Sequence, residues 1–204
     1  MQLVDLSIYL HIPFCLEKCD YCDFYSVSLH SLGCISPKER DHFTGRYVEA
    51  LLVETERRLK EHNPIIYVPS IYIGGGTPSL LGANGIKCLL SGLKVFDGVR
   101  EITVEANPES ADTTFLCSCA DHGVNRLSLG IQSFSEKVRK AAGRKGHSHA
   151  DPEADHDKLL FRRLREAAEI FGPGLSLDLM SGLPGQDEET LYKDIETDEF
   201  TPLN

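Results

Sequence analysis

Apolar residues along the chain follow two spacings, that of a buried strand and that of an amphipathic helix. Short β-branched and aromatic runs predict strands, and these runs are 6–12, 70–76, 101–106, 126–132 and 175–180. Between them, apolar residues recur every three or four positions, which predicts helices over 43–62, 83–95, 112–122, a short stretch from 135, 155–171 and a stretch from 187. Strand and helix therefore alternate along the chain.

This alternation predicts the fold class α/β, with a parallel sheet that is either open or curled into a barrel. A complete eight-stranded barrel needs about 250 residues, whereas this chain has 204 and five predicted strands. The final segment, "ETDEFTPLN", is polar where a sixth strand would be expected. We therefore expect an incomplete barrel or an open sheet that stops after the fifth strand and its helix.

Composition narrows the class of protein. An apolar content of 41% supports a buried core, and a formal net charge of −10 disfavours a nucleic-acid surface, which normally carries a basic stripe. No stretch approaches the roughly 20 apolar residues of a membrane span, and the first residues do not resemble a secretory leader. We therefore expect a cytoplasmic protein that does not span a membrane.

Three of the seven cysteines, Cys15, Cys19 and Cys22, fall within eight residues. Clustered thiolates select zinc, copper(I) or iron–sulfur clusters. A closed zinc site needs a fourth ligand, which His11 or His30 would have to supply. A cubane cluster instead accepts three cysteines and leaves one iron open. The strand-end position of His11 and the distance of His30 from Cys22 along the chain favour the cluster.

The C-x3-C-x2-C spacing, with Tyr21 directly before the third cysteine, resembles the signature of radical S-adenosylmethionine (radical SAM) proteins. The resemblance implies a [4Fe-4S] cluster held by Cys15, Cys19 and Cys22, with SAM chelated to the open iron and cleaved reductively. It also implies a partial (β/α)6 TIM-type barrel in which the cluster loop follows the first strand. The whole chain, 1–204, would then be a radical SAM core domain that is incomplete at its C-terminus.

Further segments resemble the branch of the superfamily that contains oxygen-independent coproporphyrinogen III oxidase and the haem chaperone HemW. They are "YLHIPFC", "YIGGGTPSLL", "ITVEANPE", "VNRLSLGIQSF" and "LDLMSGLPGQ". Two residues after its third cysteine, the oxidase has a fourth cysteine, whereas this chain has Phe24. A HemW-type protein is therefore favoured, with an oxidase-like enzyme as the alternative. The implied partners are haem or a porphyrin, an electron donor such as a flavodoxin or ferredoxin, and a haem-accepting protein.

By the same resemblance, a set of residues spread over the chain contacts SAM. They are Tyr9, Tyr21, Gly75, Gly76, Thr77, Glu105, Gln132, Arg144 and Asp178. The residues themselves support part of this set, because glycine lets a ligand approach the backbone and polar side chains at strand ends face a barrel mouth. A turn, a helix cap or a buried aromatic would be the purely structural alternatives. Asp178, between two leucines, is expected to need a ligand or a cation.

Two other groups are interpreted without a function. His147, His149 and His156 lie in the polar stretch 143–158, which predicts a solvated loop and a small local insertion. The remaining cysteines are expected to be buried or incidental thiols; they are Cys34, Cys88, Cys117 and Cys119.

Overall fold

The computed structural model describes residues 4–34, 36–61, 66–93, 98–144 and 155–196. The strands in these ranges are β1 (Val4–Asp5), β2 (Ile8–Ile12), β3 (Phe14–Cys15), β4 (Val27–Ser28), β5 (Ile66–Tyr67), β6 (Ser70–Gly75), β7 (Glu101–Ala106), β8 (Arg126–Gln132) and β9 (Leu175–Leu179). The α-helices are α1 (Pro37–Glu61), α2 (Gly82–Gly92), α3 (Thr113–Asp121), α4 (Glu136–Ala141), α5 (His156–Phe171) and α6 (Glu188–Ile195). Short 3-10 helices cover Pro78–Leu81 and Gly172–Gly174.

The five longer strands form one parallel sheet in the order β2-β6-β7-β8-β9. The spatial order equals the chain order, so each strand is followed by a crossover to its neighbour, as in barrels built from βα units. Helices pack beside one another in the same succession, α1 on α2, α2 on α3 and α3 on α5. The predicted α/β class and the five strands are confirmed.

The two faces of this sheet differ in polarity because side chains alternate along a strand. One face is apolar and carries Ile71, Ile73, Val104, Leu127 and Leu129, all fully buried. Against it pack Ile86, Leu89, Phe115 and Leu116 from the helices. The other face is polar and carries Tyr72, Thr103, Glu105, Ser128 and Asp178. The core thus lies between sheet and helices, and the polar face is left for function.

Helix starts agree with the sequence where a cap precedes the apolar pattern. Asp112, Ser135, Asp155 and Asp187 each accept a hydrogen bond from the backbone amide three residues later, as N-caps do. The exception is α1, which begins at Pro37 rather than at 43. Ser36 and Glu39 form a reciprocal capping box, with Ser36 N donating to Glu39 Oε2 at 2.8 Å.

Some predicted features lie outside the described residues, namely His147 and His149 of the polar loop. His156 instead begins α5. Four two-residue strands, paired as β1–β5 and β3–β4, were not predicted, since two residues carry no periodicity. Among the described helices, none combines the length and apolar content needed to cross a membrane.

The position of the core predicts that a valine-to-alanine substitution lowers the free energy of unfolding by different amounts at two sites. Val104→Ala removes both γ-methyl groups of a fully buried side chain in β7 and should lower the free energy of unfolding by about 2 kcal/mol. Val53→Ala, on the exposed face of α1 where the side chain is 68% exposed, should change it by less than about 0.5 kcal/mol. Urea titrations followed by circular dichroism measure both, and equal costs would contradict this core.

Candidate functional site

The three clustered cysteines lie in one loop closed at its base by paired strands. β3 pairs with β4, so that Cys15 lies opposite Ser28, and Leu29 N donates to Cys15 O at 2.8 Å. Within the loop, Cys22 N donates to Cys19 O at 3.1 Å, which makes a tight turn. All three thiols are free and half-buried. The loop follows β2 directly, as the sequence predicts.

A cavity of about 690 Å³ opens between this loop and the carboxyl ends of β6, β7, β8 and β9. It is lined by Cys15, Glu17, Cys19, Tyr21, Cys22, Asp23, Phe24, Gly75, Gly76, Thr77, Pro78, Glu105, Ala106, Asn107, Gly130, Gln132, Arg144, Asp178, Leu179 and Met180. Residues far apart in the sequence therefore converge here. Every predicted site residue except Tyr9 belongs to this lining.

The glycines at the end of β6, Gly75 and Gly76, bring the sheet into direct contact with the cluster loop. Gly76 N donates to Ile12 O at 2.8 Å, and a Cβ on Gly76 would lie 2.6 Å from the carbonyl oxygen of Phe14. Gly75 has a φ of +119°, a conformation that side chains disfavour. Thr77 Oγ1 lies 3.6 Å from Cys15 Sγ, as a hydrogen-bond donor to the thiol. Only glycine at position 76 lets the end of the sheet approach the Phe14 backbone this closely.

Glu105 uses both carboxylate oxygens inside the protein. Oε1 accepts from Tyr72 OH at 2.7 Å and Oε2 accepts from Gly75 N at 3.0 Å. Burial and the neighbouring Glu105 raise the pKa of Tyr72, which keeps its hydroxyl protonated as a donor. Tyr9 stacks on Tyr72 with ring centroids 5.9 Å apart, and its hydroxyl lies 3.1 Å from His11 Nδ1. Tyr9 is thus beside the lining rather than in it, and its contact with SAM stays a prediction.

Arg144 connects the cluster loop to two strand ends. Its side chain is 7% exposed and donates to Gly130 O at 2.7 Å, to the side-chain oxygen of Asn107 and to Glu109 Oε2 at 3.4 Å. Its charge also acts on Tyr21 of the cysteine loop. Burial alone would lower the pKa of Arg144, but Glu109 and Tyr21 outweigh burial and raise it. The guanidinium is therefore a fixed positive charge at the cavity wall.

Tyr21 extends this connection to a cysteine. Burial raises the pKa of Tyr21 to about 12, so the phenol stays protonated beside Cys19. Burial likewise raises the pKa of the Cys19 thiol, while the charge of Arg144 and the neighbouring Tyr21 phenol oppose the shift. The Tyr21 ring packs on the small apolar cluster formed by Val138, Ala142 and Leu183. The segment between Cys19 and Cys22 is thus anchored by the packing of Tyr21.

The ends of β8 and β9 supply the remaining predicted residues. A bulge between Gly130 and Gln132 interrupts the pairing with β9. Asp178 accepts from Ser128 Oγ at 2.9 Å and is solvent-exposed. Ser128 therefore supplies one partner, and the expectation that Asp178 binds a ligand or a cation stays a prediction. Asn107, missed in the sequence, directly follows β7 in the quoted "ITVEANPE", and its strand-end position was an available signal.

The two histidines that could complete a zinc site make other contacts in the structure. Within the described ranges, no three His, Cys, Asp or Glu side chains converge as ligands of one ion. His11 Nε2 bonds to Tyr25 O at 2.9 Å and His30 Nδ1 lies 3.6 Å from Glu17, so neither candidate zinc ligand turns toward the thiols. Three thiolates that each bind a different iron surround one cluster and need not meet at a single ion. The donor set fits a cubane cluster with one open iron.

The remaining cysteines separate into two pairs by exposure. Cys34 and Cys119 are buried, and Cys88 and Cys117 are exposed. None of them lines the cavity. They agree with the interpretation as incidental thiols.

The sequence profile of the radical SAM superfamily matches residues 9–197. The chain belongs to the radical SAM superfamily. Its match to the profile covers the cysteine loop and, apart from Ile8, all five strands of the main sheet. This membership agrees with the resemblance that the cysteine spacing and the other quoted segments show.

Curated relatives include two proteins named heme chaperone HemW. The one from Buchnera aphidicola subsp. Acyrthosiphon pisum is 38% identical over 95% of this chain and 47% of its own length. The one from Escherichia coli K12 is 36% identical over 96% of this chain and 47% of its own length. The chain thus spans about half the length of these relatives.

A solved structure gives the fold comparison. Coproporphyrinogen III oxidase (HemN) from Escherichia coli, described as a radical SAM enzyme, superposes with a TM-score of 0.76 at 28% identity, over 94% of this chain and 40% of that chain. The five-stranded parallel sheet therefore matches a partial TIM-type barrel of the radical SAM kind, as predicted.

The close approach at Gly76 predicts a large effect for a small substitution. Gly76→Ala drives a Cβ into the Phe14 backbone and should lower the melting temperature by about 2–12 °C, the shift expected for about 1–3 kcal/mol of overpacking. Gly45→Ala in α1 meets nothing within 4 Å and should raise it by about 1–4 °C. Calorimetry compares the two. An unchanged melting temperature for Gly76→Ala would refute the contact between sheet end and loop.

Proposed function

We propose that this chain is a HemW-type radical SAM iron–sulfur protein that binds a [4Fe-4S] cluster and SAM and that acts in haem binding and delivery. The observation that carries the proposal is the meeting of three free thiols with polar groups from four strand ends around one cavity. Three thiolates leave one iron of a cubane open to a ligand. When bound, such a cluster supplies the electron for reductive cleavage of SAM.

The charges of the cavity support SAM as the ligand. Four carboxylates line it, from Glu17, Asp23, Glu105 and Asp178, together with the single guanidinium of Arg144. SAM carries a sulfonium and an ammonium, which favour an acidic surrounding, and one carboxylate, which an arginine recognises well. Arg144 also has a buried Nε without a partner among the described residues. Leaving such a donor unsatisfied is costly, and a ligand oxygen would relieve that cost.

Each predicted residue is proposed to have one role, and all of them except Tyr9 line the cavity. Cys15, Cys19 and Cys22 would hold the cluster. The backbone of Gly75 to Thr77 would bind the methionine end of SAM, with Glu105 fixing the Gly75 amide. The residues proposed to contact the rest of SAM are Tyr9, Tyr21, Gln132, Arg144 and Asp178. No catalytic residue is assigned.

The haem role is supported by the curated relatives and by one position in the loop. Phe24, 69% exposed at the cavity, stands where the oxidase has a fourth cysteine. We propose haem or a porphyrin as the small-molecule partner, a flavodoxin or ferredoxin as the electron donor, a haem-accepting protein as the recipient, and the cytoplasm as the location. The second candidate function is an oxidase-like enzyme, which the likeness to HemN favours.

The cluster assignment predicts that one thiol is essential and another is not. Cys22→Ser should lose most of the roughly four irons and four sulfides expected per chain, and SAM should then leave the electron paramagnetic resonance spectrum of the reduced protein unchanged. Cys88→Ser, at an exposed thiol of α2 outside the loop, should retain both properties. Anaerobic reconstitution followed by iron, sulfide and spectral analysis measures this. A full cluster in Cys22→Ser, or stoichiometric zinc in the wild type, would overturn the assignment.

The choice between chaperone and oxidase predicts the absence of a reaction. Cluster-loaded protein, incubated anaerobically with SAM, a reductant and coproporphyrinogen III, should form no decarboxylated product above background, whereas added haem should give a saturable shift of its Soret absorbance. Chromatography of the porphyrins and an absorbance titration measure the two outcomes. Product formed at an enzymatic rate would favour the oxidase-like enzyme instead.

A further inference from the structure

The turn after β8 holds an unusual backbone conformation at the cavity. Gln132 has a φ of +69°, the only positive φ of a non-glycine residue among those described. Such a conformation costs free energy and persists only where surrounding contacts over-determine it. The bulge at Gly130 and Gln132 also re-aims the strand end, and both residues line the cavity. What holds this turn therefore controls how Gln132 meets a ligand.

A buried carboxylate from α6 reaches the turn. Asp194 is 4% exposed, and its Oδ1 accepts from Phe134 N at 2.7 Å, two residues after Gln132. Its Oδ2 accepts from Gln186 Nε2 at 3.3 Å. Burying a carboxylate is costly unless its oxygens accept hydrogen bonds, and here both do. Asp194 itself does not line the cavity.

The same carboxylate reaches Gln132 from a second side. Gln186 Nε2 also donates to Met180 O at 3.0 Å, and Met180 N donates to Gln132 O at 2.9 Å. Asp194, Gln186 and Met180 thus form a path that ends on the carbonyl of Gln132. The backbone that follows the Cα of Gln132 is thus held at two points, by Asp194 directly and by Met180, whose carbonyl accepts from the Gln186 amide that also donates to Asp194.

We propose that Asp194 is a positioning residue of the SAM site, whose carboxylate holds the turn after β8 so that Gln132 stays in its left-handed conformation at the cavity. The inference rests on the proposed function, because it takes Gln132 as a SAM contact. Asp194 acts through Gln132 and touches no ligand.

The test is a double-mutant cycle on SAM affinity, measured by titrating SAM into reduced, cluster-loaded protein and following electron paramagnetic resonance. Asp194→Asn keeps the shape of the side chain but replaces one accepting oxygen by a donating group. It should weaken SAM binding about tenfold while iron and sulfide content stay at the wild-type level. In a Gln132→Ala background the same change should alter affinity less than about twofold, since the residue through which Asp194 acts is absent.

The matched control is Glu188→Gln, which neutralises an exposed carboxylate on the same helix and should leave SAM affinity unchanged. If Asp194→Asn fails to fold or to load its cluster, Gln186→Ala tests the path through Met180 and should also weaken SAM binding, again only when the Gln132 side chain is present.

Each outcome decides a different claim. Wild-type affinity in Asp194→Asn, or in Gln186→Ala where that variant replaces it, overturns the positioning role and leaves the proposed function intact. An equal loss with and without Gln132 also overturns it, because Asp194 would then act through another part of the fold. No SAM response in the cluster-loaded wild-type protein overturns the proposed function itself, and the inference with it.

Discussion

The arrangement of the cavity depends on the contacts that the buried guanidinium of Arg144 makes. It binds the carbonyl of Gly130 and the side chains of Asn107 and Glu109, and its charge acts on Tyr21 and Cys19 of the cysteine loop. Removing a charge from water costs several kcal/mol unless partners replace the lost hydration. Here two strand ends and one loop supply those partners, so their relative positions are coupled to one side chain. A loop of three thiols would otherwise be joined to the sheet mainly through its base.

The second constraint is the closeness of backbone to backbone at the end of β6. Gly75 and Gly76 let the sheet approach within van der Waals contact of the segment that carries Cys15. Because no side chains intervene, the thiols and the strand ends share one cavity of about 690 Å³. The glycines bring loop and sheet together, and Arg144 fixes their orientation. A ligand that spans a cluster and a barrel mouth requires both, which is why the proposed SAM site draws on so much of the chain.

The sequence predicted the strands and helices that have a periodic apolar pattern or a capping residue at their start. The five strands have strong period-two or continuous apolar runs, and the caps at Asp112, Asp155 and Asp187 mark helix starts within one residue. The start of α1 was wrong by six residues because its capping box at Ser36 lies before the apolar pattern. The paired strands β3 and β4 were missed because they are too short for any period.

The candidate site was predicted largely by resemblance, and the residues missed have tertiary roles. Asp194 contacts the β8 turn and Gln186 contacts Asp194 only once α6 lies beside that turn, and no local pattern indicates such contacts. Asp178 looked unsatisfied between two leucines, whereas its partner, Ser128, comes from the neighbouring strand. Sequence spacing therefore indicates which elements meet, while hydrogen-bond partners across elements depend on register.

The central claim is that the three thiolates leave one iron open and that SAM occupies it. Mössbauer spectroscopy of protein reconstituted with 57Fe, recorded with and without SAM, tests this claim most directly. The account predicts that one iron of the four changes its isomer shift when SAM is added, while the three irons bound by Cys15, Cys19 and Cys22 do not. Four irons that remain equivalent and unaffected by SAM would contradict it.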